Sequence, residues 1–356
     1  MTLLRHLIAA VVVAAIVAAL SYRVGAYRDY QIAEVSAYVT AVAGLTVLIG
    51  LSGQISIGNG AFMAIGGYAT ALLLLHQHWP LAAVIAASTA AAAAAGGLVG
   101  VAAARLRGPY LAGATLLLAV AIPVSIADHW AGLFGGDQGL TVSVSTPAAL
   151  AAEPTRYYAW LTTGVALISL VLLANLGRSR VGRSWRALRD DEVAAALSGL
   201  NVARLQVLAF VVSAASGGAG GALLAVVTGI ASPGAYTLTL SVGLLVAAVV
   251  GGLGSLAGAV WGSLLYVFVP TYLSNVAASH GLNSGASSNI PIAVYGLVLV
   301  VVMLAFPSGI QGALRRLFGS VAPSAAVPLS SLRSLRRRRP ASPHQPASPH
   351  QEESTL

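Results

Sequence analysis

Residues 182–206 read GRSWRALRDDEVAAALSGLNVARLQ. Arg183, Arg186, Arg189, Asp190, Asp191, Glu192 and Arg204 crowd into this stretch, although only 8% of the 356-residue chain is charged and apolar runs flank it on both sides. From Ser184, a suitable N-cap, apolar side chains fall at Trp185, Leu188, Val193, Ala196, Leu197 and Leu200. Those offsets keep to one stripe of a 3.6-residue helix. Arg186 with Asp190 and Arg189 with Glu192 have the i,i+4 and i,i+3 spacings of helix ion pairs. Gly199 is placed to end the helix. The spacing predicts one or two short amphipathic helices joined to very apolar segments at both ends.

Those segments set the class. The chain is 57% hydrophobic with 39 glycines, whereas a soluble domain carries about 25% charged residues. Runs of about 20 apolar residues match a hydrocarbon core of ~30 Å when wound as helices. They fall near 3–20, 33–50, 57–75, 81–104, 110–127, 157–176, 207–231, 237–250, 256–273 and 290–306. The expected fold is an all-α polytopic membrane protein of about ten transmembrane helices. The first run lacks a clean small-x-small cleavage site and reads as an anchoring span rather than a signal peptide. The run 237–250 is short enough to re-enter rather than cross.

All 19 basic residues are arginine, and there is neither lysine nor cysteine. Cysteine-based disulfide, metal and nucleophile chemistry is excluded. So is a standard ATP-binding P-loop, which needs a lysine on the phosphates. The net charge of +9 sits in connections and in the tail, which points to topology and away from nucleic acid. Arg105 and Arg107, the six arginines of 177–206 and the seven after 306 mark cytoplasmic segments, and both termini come out cytoplasmic. The connection 128–156, with Asp128, Asp137 and Glu153, is then external. Residues 1–32 form an N-terminal span and external link, 33–316 the main domain, and 317–356 an Arg/Ser/Pro-rich tail. That tail, with RRRR at 336–339 and PASPHQ repeated, should be disordered. Its arginines either touch anionic lipid or have no mechanistic role.

Two readings of the polar loop compete. It is either a helix in the lipid headgroups or a lever docked in a groove on a soluble partner. The run Asp190-Asp191-Glu192 favours docking, because anionic headgroups repel it.

WRALRDDEVAAALSGLNVARLQVLAFVVSAASGGAGGALLA (185–225) resembles the cytoplasmic coupling loop of ABC importer permeases. More closely, it is similar to the branched-chain amino acid permease family, LivM type. GLSGQISIGNGAFMAIGGYATALL (50–73), VVGGLGSLAGAVWGSLL (249–265) and YGLVLVVVMLAFPSGIQGALRR (295–316) point the same way. The resemblance implies a permease subunit in the cell membrane of a prokaryote. It would pair with a second, homologous permease and two ATPase subunits that use ATP and Mg, fed by an extracytoplasmic binding protein. This chain itself would bind no cofactor. Trp185, Arg186, Ala187, Leu188, Arg189, Asp190, Asp191, Glu192 and Gly199 would form the ATPase-coupling element. Where the family commonly has His or Gln, this chain has Asn59, which loosens any cargo preference carried over. The implied cargo is a branched-chain or other small aliphatic amino acid; urea or a short amide suits an uncharged pathway as well.

Further features stand on their residues alone. Gly53, Gln54, Ser56, Gly58, Asn59 and Gly60 interrupt an apolar region, as polar backbone does at a gate or pathway wall. A cytoplasmic turn with close helix packing is the competing reading, and direct contact with the solute a third. Gly251, Gly252 and Gly254 read as a hinge between short passes or as packing glycines. Gly217, Gly218, Gly220 and Gly221 contain a GxxxG spacing, which is a packing motif. His76, His78 and Trp79 suit a membrane edge; a metal site would need a third ligand. The spans 57–127 and 207–306 carry no ionisable Asp, Glu, Lys or Arg apart from Arg105 and Arg107 between them. Ion-coupled carriers usually keep such a group. A self-sufficient carrier remains the alternative class, and no enzyme constellation is present.

Overall fold

The structure, a computed structural model, describes residues 2–76, 79–106, 109–144, 146–147, 153–279 and 309–319, with Gly296 and Val301. The chain divides into Met1–Arg315 and Arg316–Leu356. Of the second unit, only residues 316–319, the end of one helix, are described. His78, Arg107, nearly all of the run 290–306 and the tail from 320 lie outside the described residues.

The long helices are α1 (Thr2–Ser21), α2 (Ala26–Ser52), α3 (Asn59–His76), α4 (Leu81–Ala103), α5 (Pro109–Asp128), α7 (Pro154–Arg178), α10 (Val202–Thr228) and α12 (Leu256–Ser279). Shorter ones are α6 (Ala131–Phe134), α8 (Arg180–Asp190), α9 (Glu192–Leu197), α11 (Leu238–Gly251) and α13 (Gly309–Gly319). Eight segments among the described residues are long and apolar enough to cross a membrane, Pro233–Gly251 among them. The chain is a polytopic all-α membrane protein.

Burial sorts these helices. α2 and α10 are almost enclosed, with α3, α4, α7, α11 and α12 against one or both of them. The outer helices turn Leu98, Leu117, Ile168 and Leu172 outward, as lipid-facing surfaces do. Because lipid tails are as apolar as leucine, the centre is held by close packing of small residues rather than by a hydrophobic drive. A Cβ on Gly66 would stand 2.0 Å from the Gly218 carbonyl, and one on Gly221 would stand 1.9 Å from that of Met63. Glycine at these points lets α3 and α10 touch backbone to backbone. The GxxxG cluster is therefore a packing surface.

α2 begins at Ala26, earlier than its apolar run suggests. The extra turns carry Asp29, which is buried and paired with Arg156 at 3.9 Å. Arg156 also pairs with Glu153 and lies over the Tyr22 ring at 4.7 Å. Trp160 Nε1 donates to Ser21 Oγ at 2.9 Å. These contacts clamp α1, α2 and α7 at the end of the bundle away from α8.

At that same end, β1 (Leu140–Thr141) pairs antiparallel with β2 (Ile230–Ala231). Phe134 meets the Tyr68 ring edge to face at 5.4 Å. The Tyr236 hydroxyl donates to Gly221 O at 3.3 Å, seven residues inside the end of α10, which is ~10 Å along its axis. A 3-10 turn (Pro233–Tyr236) therefore carries the chain back into the bundle before α11 starts. This is why α11 needs only 14 residues.

Candidate functional site

Three stretches singled out in the sequence meet at the arginine-rich end: 180–199, 50–60 and 251–254. The polar loop folds as two helices. Ser179, rather than Ser184, caps the first, its Oγ accepting from Gly182 N at 3.4 Å. Ser184 lies inside α8 and donates to Arg180 O. Its position favours bonding the preceding turn over capping a new one, because α8 starts straight after α7.

The chain breaks again at Asp191, which is extended (φ −157°) and caps α9 by accepting from Val193 N at 2.9 Å and Ala194 N at 3.0 Å. α9 closes at Gly199, which adopts φ +87°. Leu200 N donates to Ala195 O and Gly199 N to Ala196 O, the paired bonds of a Schellman stop.

That break cuts the apolar stripe in two. Trp185 is fully enclosed, with Nε1 donating to Leu205 O at 2.9 Å, and Leu188 is buried beside it. Both anchor α8 to the bundle. Beyond Asp191, Ala195 turns inward while Val193 is 69% and Leu197 85% exposed. The single stripe expected from the periodicity would have put all of these on one face. Ala187, Asp190, Asp191 and Gly199 are exposed too. Arg189 Nε lies 3.8 Å from Asp190 Oδ1, and Arg186 Nη1 donates to Gly177 O at 2.9 Å.

Arg189 reaches further. Its Nη1 donates to the carbonyl of Gly50 at 2.6 Å, and its side chain lies against Gly53, which ends α2 at φ +75°. Gly53–Gly58 then run without regular structure, and protein groups satisfy several of their polar atoms. Ile57 N donates to Thr115 Oγ1 at 3.0 Å, Gly58 N to Ser56 Oγ at 3.3 Å, and Gly60 N to Ser241 Oγ at 3.1 Å. Gln54 Nε2 donates to Ser52 Oγ, and Asn59 Nδ2 to Ala41 O at 3.3 Å. Gln54, Ser56 and Asn59 are buried. The segment is thus tied to α2, α5 and α11 together.

The third stretch adjoins it. A Cβ on Gly50 would stand 2.1 Å from Gly254 N, and one on Gly251 would stand 2.0 Å from Gly258 O. Gly252 and Gly254 take φ +117° and +79°. Gly309, the first residue of α13, approaches Gly252 so closely that a Cβ would lie 2.4 Å from its Cα. The last turn of α2 therefore abuts the α11–α12 connection, with α8 bonded to that same turn. Among the described residues no three His, Cys, Asp or Glu side chains group as metal ligands.

Reading the sequence missed Thr115 and Ser241, which hold the break in place, and the outward turn of Val193 and Leu197. The acidic Asp191 inside an apolar pattern was the available signal for that turn, since Asp is a strong N-cap.

A family profile described as the branched-chain amino acid transport system / permease component matches residues 27–307. The chain is 31% identical over 261 residues to the high-affinity branched-chain amino acid transport system permease protein LivM of Salmonella typhimurium, covering 65% of this chain and 60% of that protein. It is 31% identical over 255 residues to LivM of Escherichia coli, with the same coverage of each. Against LivH of Salmonella typhimurium the identity is 29% over 194 residues, 54% of this chain and 56% of the relative. The match thus spans about 60% of the length of the LivM relatives. No solved structure matches.

Proposed function

The chain belongs to the family of branched-chain amino acid transport permease components, and on that premise we propose that it is the membrane-spanning permease subunit of an ATP-driven importer. The cargo is a branched-chain or other small aliphatic amino acid, in keeping with the relatives' names. The subunit works in the cell membrane beside a second, homologous permease. Two ATPase subunits bind and hydrolyse ATP with Mg, and an extracytoplasmic binding protein delivers solute. This chain performs no catalysis of its own.

One observation carries the reading. α9 packs on the bundle through Ala195 and leaves Val193 and Leu197 exposed beside Asp190, Asp191 and Glu192, while α8 is bonded through Arg189 to Gly50. An apolar two-residue knob with an acidic flank suits a groove with an apolar socket and basic rim on a soluble partner. It suits an anionic membrane surface poorly. Closure of the ATPases moves α9, the short junction at Asp191 carries α8 with it, Trp185 and Leu188 tie α8 to the bundle, and Arg189 passes the displacement to the end of α2, next to the α2–α3 connection. Gly53, Gln54, Ser56, Gly58, Asn59 and Gly60 act there as the gate-side element. Gly251, Gly252 and Gly254, the last in backbone contact with Gly50, act as the hinge that lets α11 and α12 follow.

The test is purification of the tagged chain in mild detergent, with identification of what accompanies it. An ATPase and a second permease in the complex, with nucleotide-dependent uptake after reconstitution, support the importer. A chain that transports alone and without nucleotide rejects it in favour of a self-sufficient carrier.

A further inference from the structure

Beside the coupling helices, α1, α2, α7 and α12 leave an open-sided crevice of about 540 Å³. Its walls are apolar, with Val13, Leu170 and Ala257 among the lining side chains, and among the described residues its charged lining consists of Arg178 and Arg186 with no carboxylate. The arginines lie at the α7–α8 junction, so the crevice is basic at one end and greasy along the rest. Along α7 it extends from Leu167 to Arg178. Eleven residue steps span ~16 Å, about half of a ~30 Å hydrocarbon core. That is the depth of one leaflet. The Thr46 hydroxyl in the wall is buried and has no hydrogen-bond partner.

From these features we infer that the crevice binds one anionic phospholipid of the cytoplasmic leaflet. Its phosphate sits at Arg178 and Arg186, and an acyl chain lies between α1, α7 and α12. Depth decides against a small polar solute, which would need no 16 Å apolar trough (~1.5 Å per residue). Charge decides against a zwitterionic or uncharged lipid, because basic pockets between spans on the cytoplasmic side select acidic headgroups. Arg186 is also bonded to Gly177 O at the end of α7, and Gly254 lines the same crevice. The lipid would therefore brace α8 and the 251–254 turn from the membrane side. The inference rests on the chain's lying in a bilayer, not on which solute it carries.

The experiment uses the full-length protein reconstituted in phosphatidylcholine vesicles with or without phosphatidylglycerol, then re-extracted for native mass spectrometry. The expected result is retained phosphatidylglycerol, preferred over phosphatidylcholine on the order of tenfold or more for two arginines. Arg178→Gln with Arg186→Gln should abolish the preference. Ala257→Phe, on an exposed position of the crevice wall, keeps the charges and should lower retention of both lipids. Equal retention of the two lipids by the unaltered protein overturns the inference. So does an unchanged preference in the arginine variant, or unchanged retention in the Phe variant. Displacement by inorganic phosphate but not by chloride at equal ionic strength would assign the arginines to a free anion. A photoreactive side chain at position 257 that couples to a second protein instead of lipid would assign the crevice to subunit packing. Either result also rejects the lipid.

Discussion

The guanidinium of Arg189 bonds the carbonyl of Gly50 at 2.6 Å across 139 residues of sequence. That contact joins α8 to the last turns of α2, the most enclosed helix of the bundle. In the proposed relay, a push on α8 would reach an enclosed central helix directly.

Arg189→Gln should uncouple the subunit. The bond is charge-assisted and worth roughly 1.5–3 kcal/mol, with the lower end apt for a half-exposed side chain. ATPase subunits should still co-purify and hydrolyse ATP, while solute uptake in proteoliposomes falls several-fold. Uptake at the unaltered rate would remove Arg189 from the relay.

Gly50→Ala should destabilise the fold. The new methyl would meet the backbone nitrogen of Gly254 at 2.1 Å, and no flexible side chain is there to yield. Overpacking of this kind costs about 1–3 kcal/mol, read as a lower midpoint of thermal unfolding in detergent. Gly25→Ala, with nothing within 4 Å of its added carbon, is the control and should melt normally. Equal midpoints would show that the end of α2 and the α11–α12 connection do not abut.

Leu197→Asp tests the docking knob. At 85% exposed the side chain contributes little to this chain's own stability, so insertion and melting should be unchanged. Recovery of the ATPase with the tagged chain should drop about tenfold, as loss of an interface anchor worth ~1.4 kcal/mol or more would cause. Undiminished recovery would place the docking surface elsewhere.

Asp191→Ala removes the cap of α9 and should cost about 1 kcal/mol locally. Hydrogen exchange of the amides at 193 and 194, which now bond the carboxylate, should accelerate. Asp191→Asn keeps an accepting oxygen and should stay near the original rate. If all three exchange alike, α9 is not held by this cap.

Gly199→Val should loosen the end of α9. There is open space around the position but its φ is +87°, so the cost is backbone strain of roughly 1–2 kcal/mol for an L side chain. Gly199→Asn, which tolerates this conformation, should be much milder. Equal ATPase recovery from both variants and the unaltered chain would make the helix stop irrelevant to docking.

Most of the bundle was legible because membrane spans are written locally, in runs of apolar residues long enough to cross a bilayer. The polar loop, its helical character and the Gly199 stop were legible for the same reason: caps and periodicity act within a few positions. The start of α2 was harder, since Asp29 looks like a link residue until Arg156 is found beside it. Ser184 misled because a serine before an apolar stripe fits a cap, yet Ser179, five residues earlier, already had the role. Splitting of the stripe at Asp191 was hidden because periodicity records spacing and not direction once the axis bends.

By itself, the sequence determined an all-α membrane chain, a polar helical loop between apolar spans, and glycine-rich interruptions at 50–60 and 251–254. Only the tertiary structure decided that these interruptions touch each other and that Arg189 reaches one of them. It also decided that Trp185 faces inward while Val193 and Leu197 face out. The physical reason is range. Hydrophobic length and capping are properties of neighbouring residues, whereas a carbonyl left to accept from a distant guanidinium, or a glycine needed for close approach, acquires meaning only when another helix arrives.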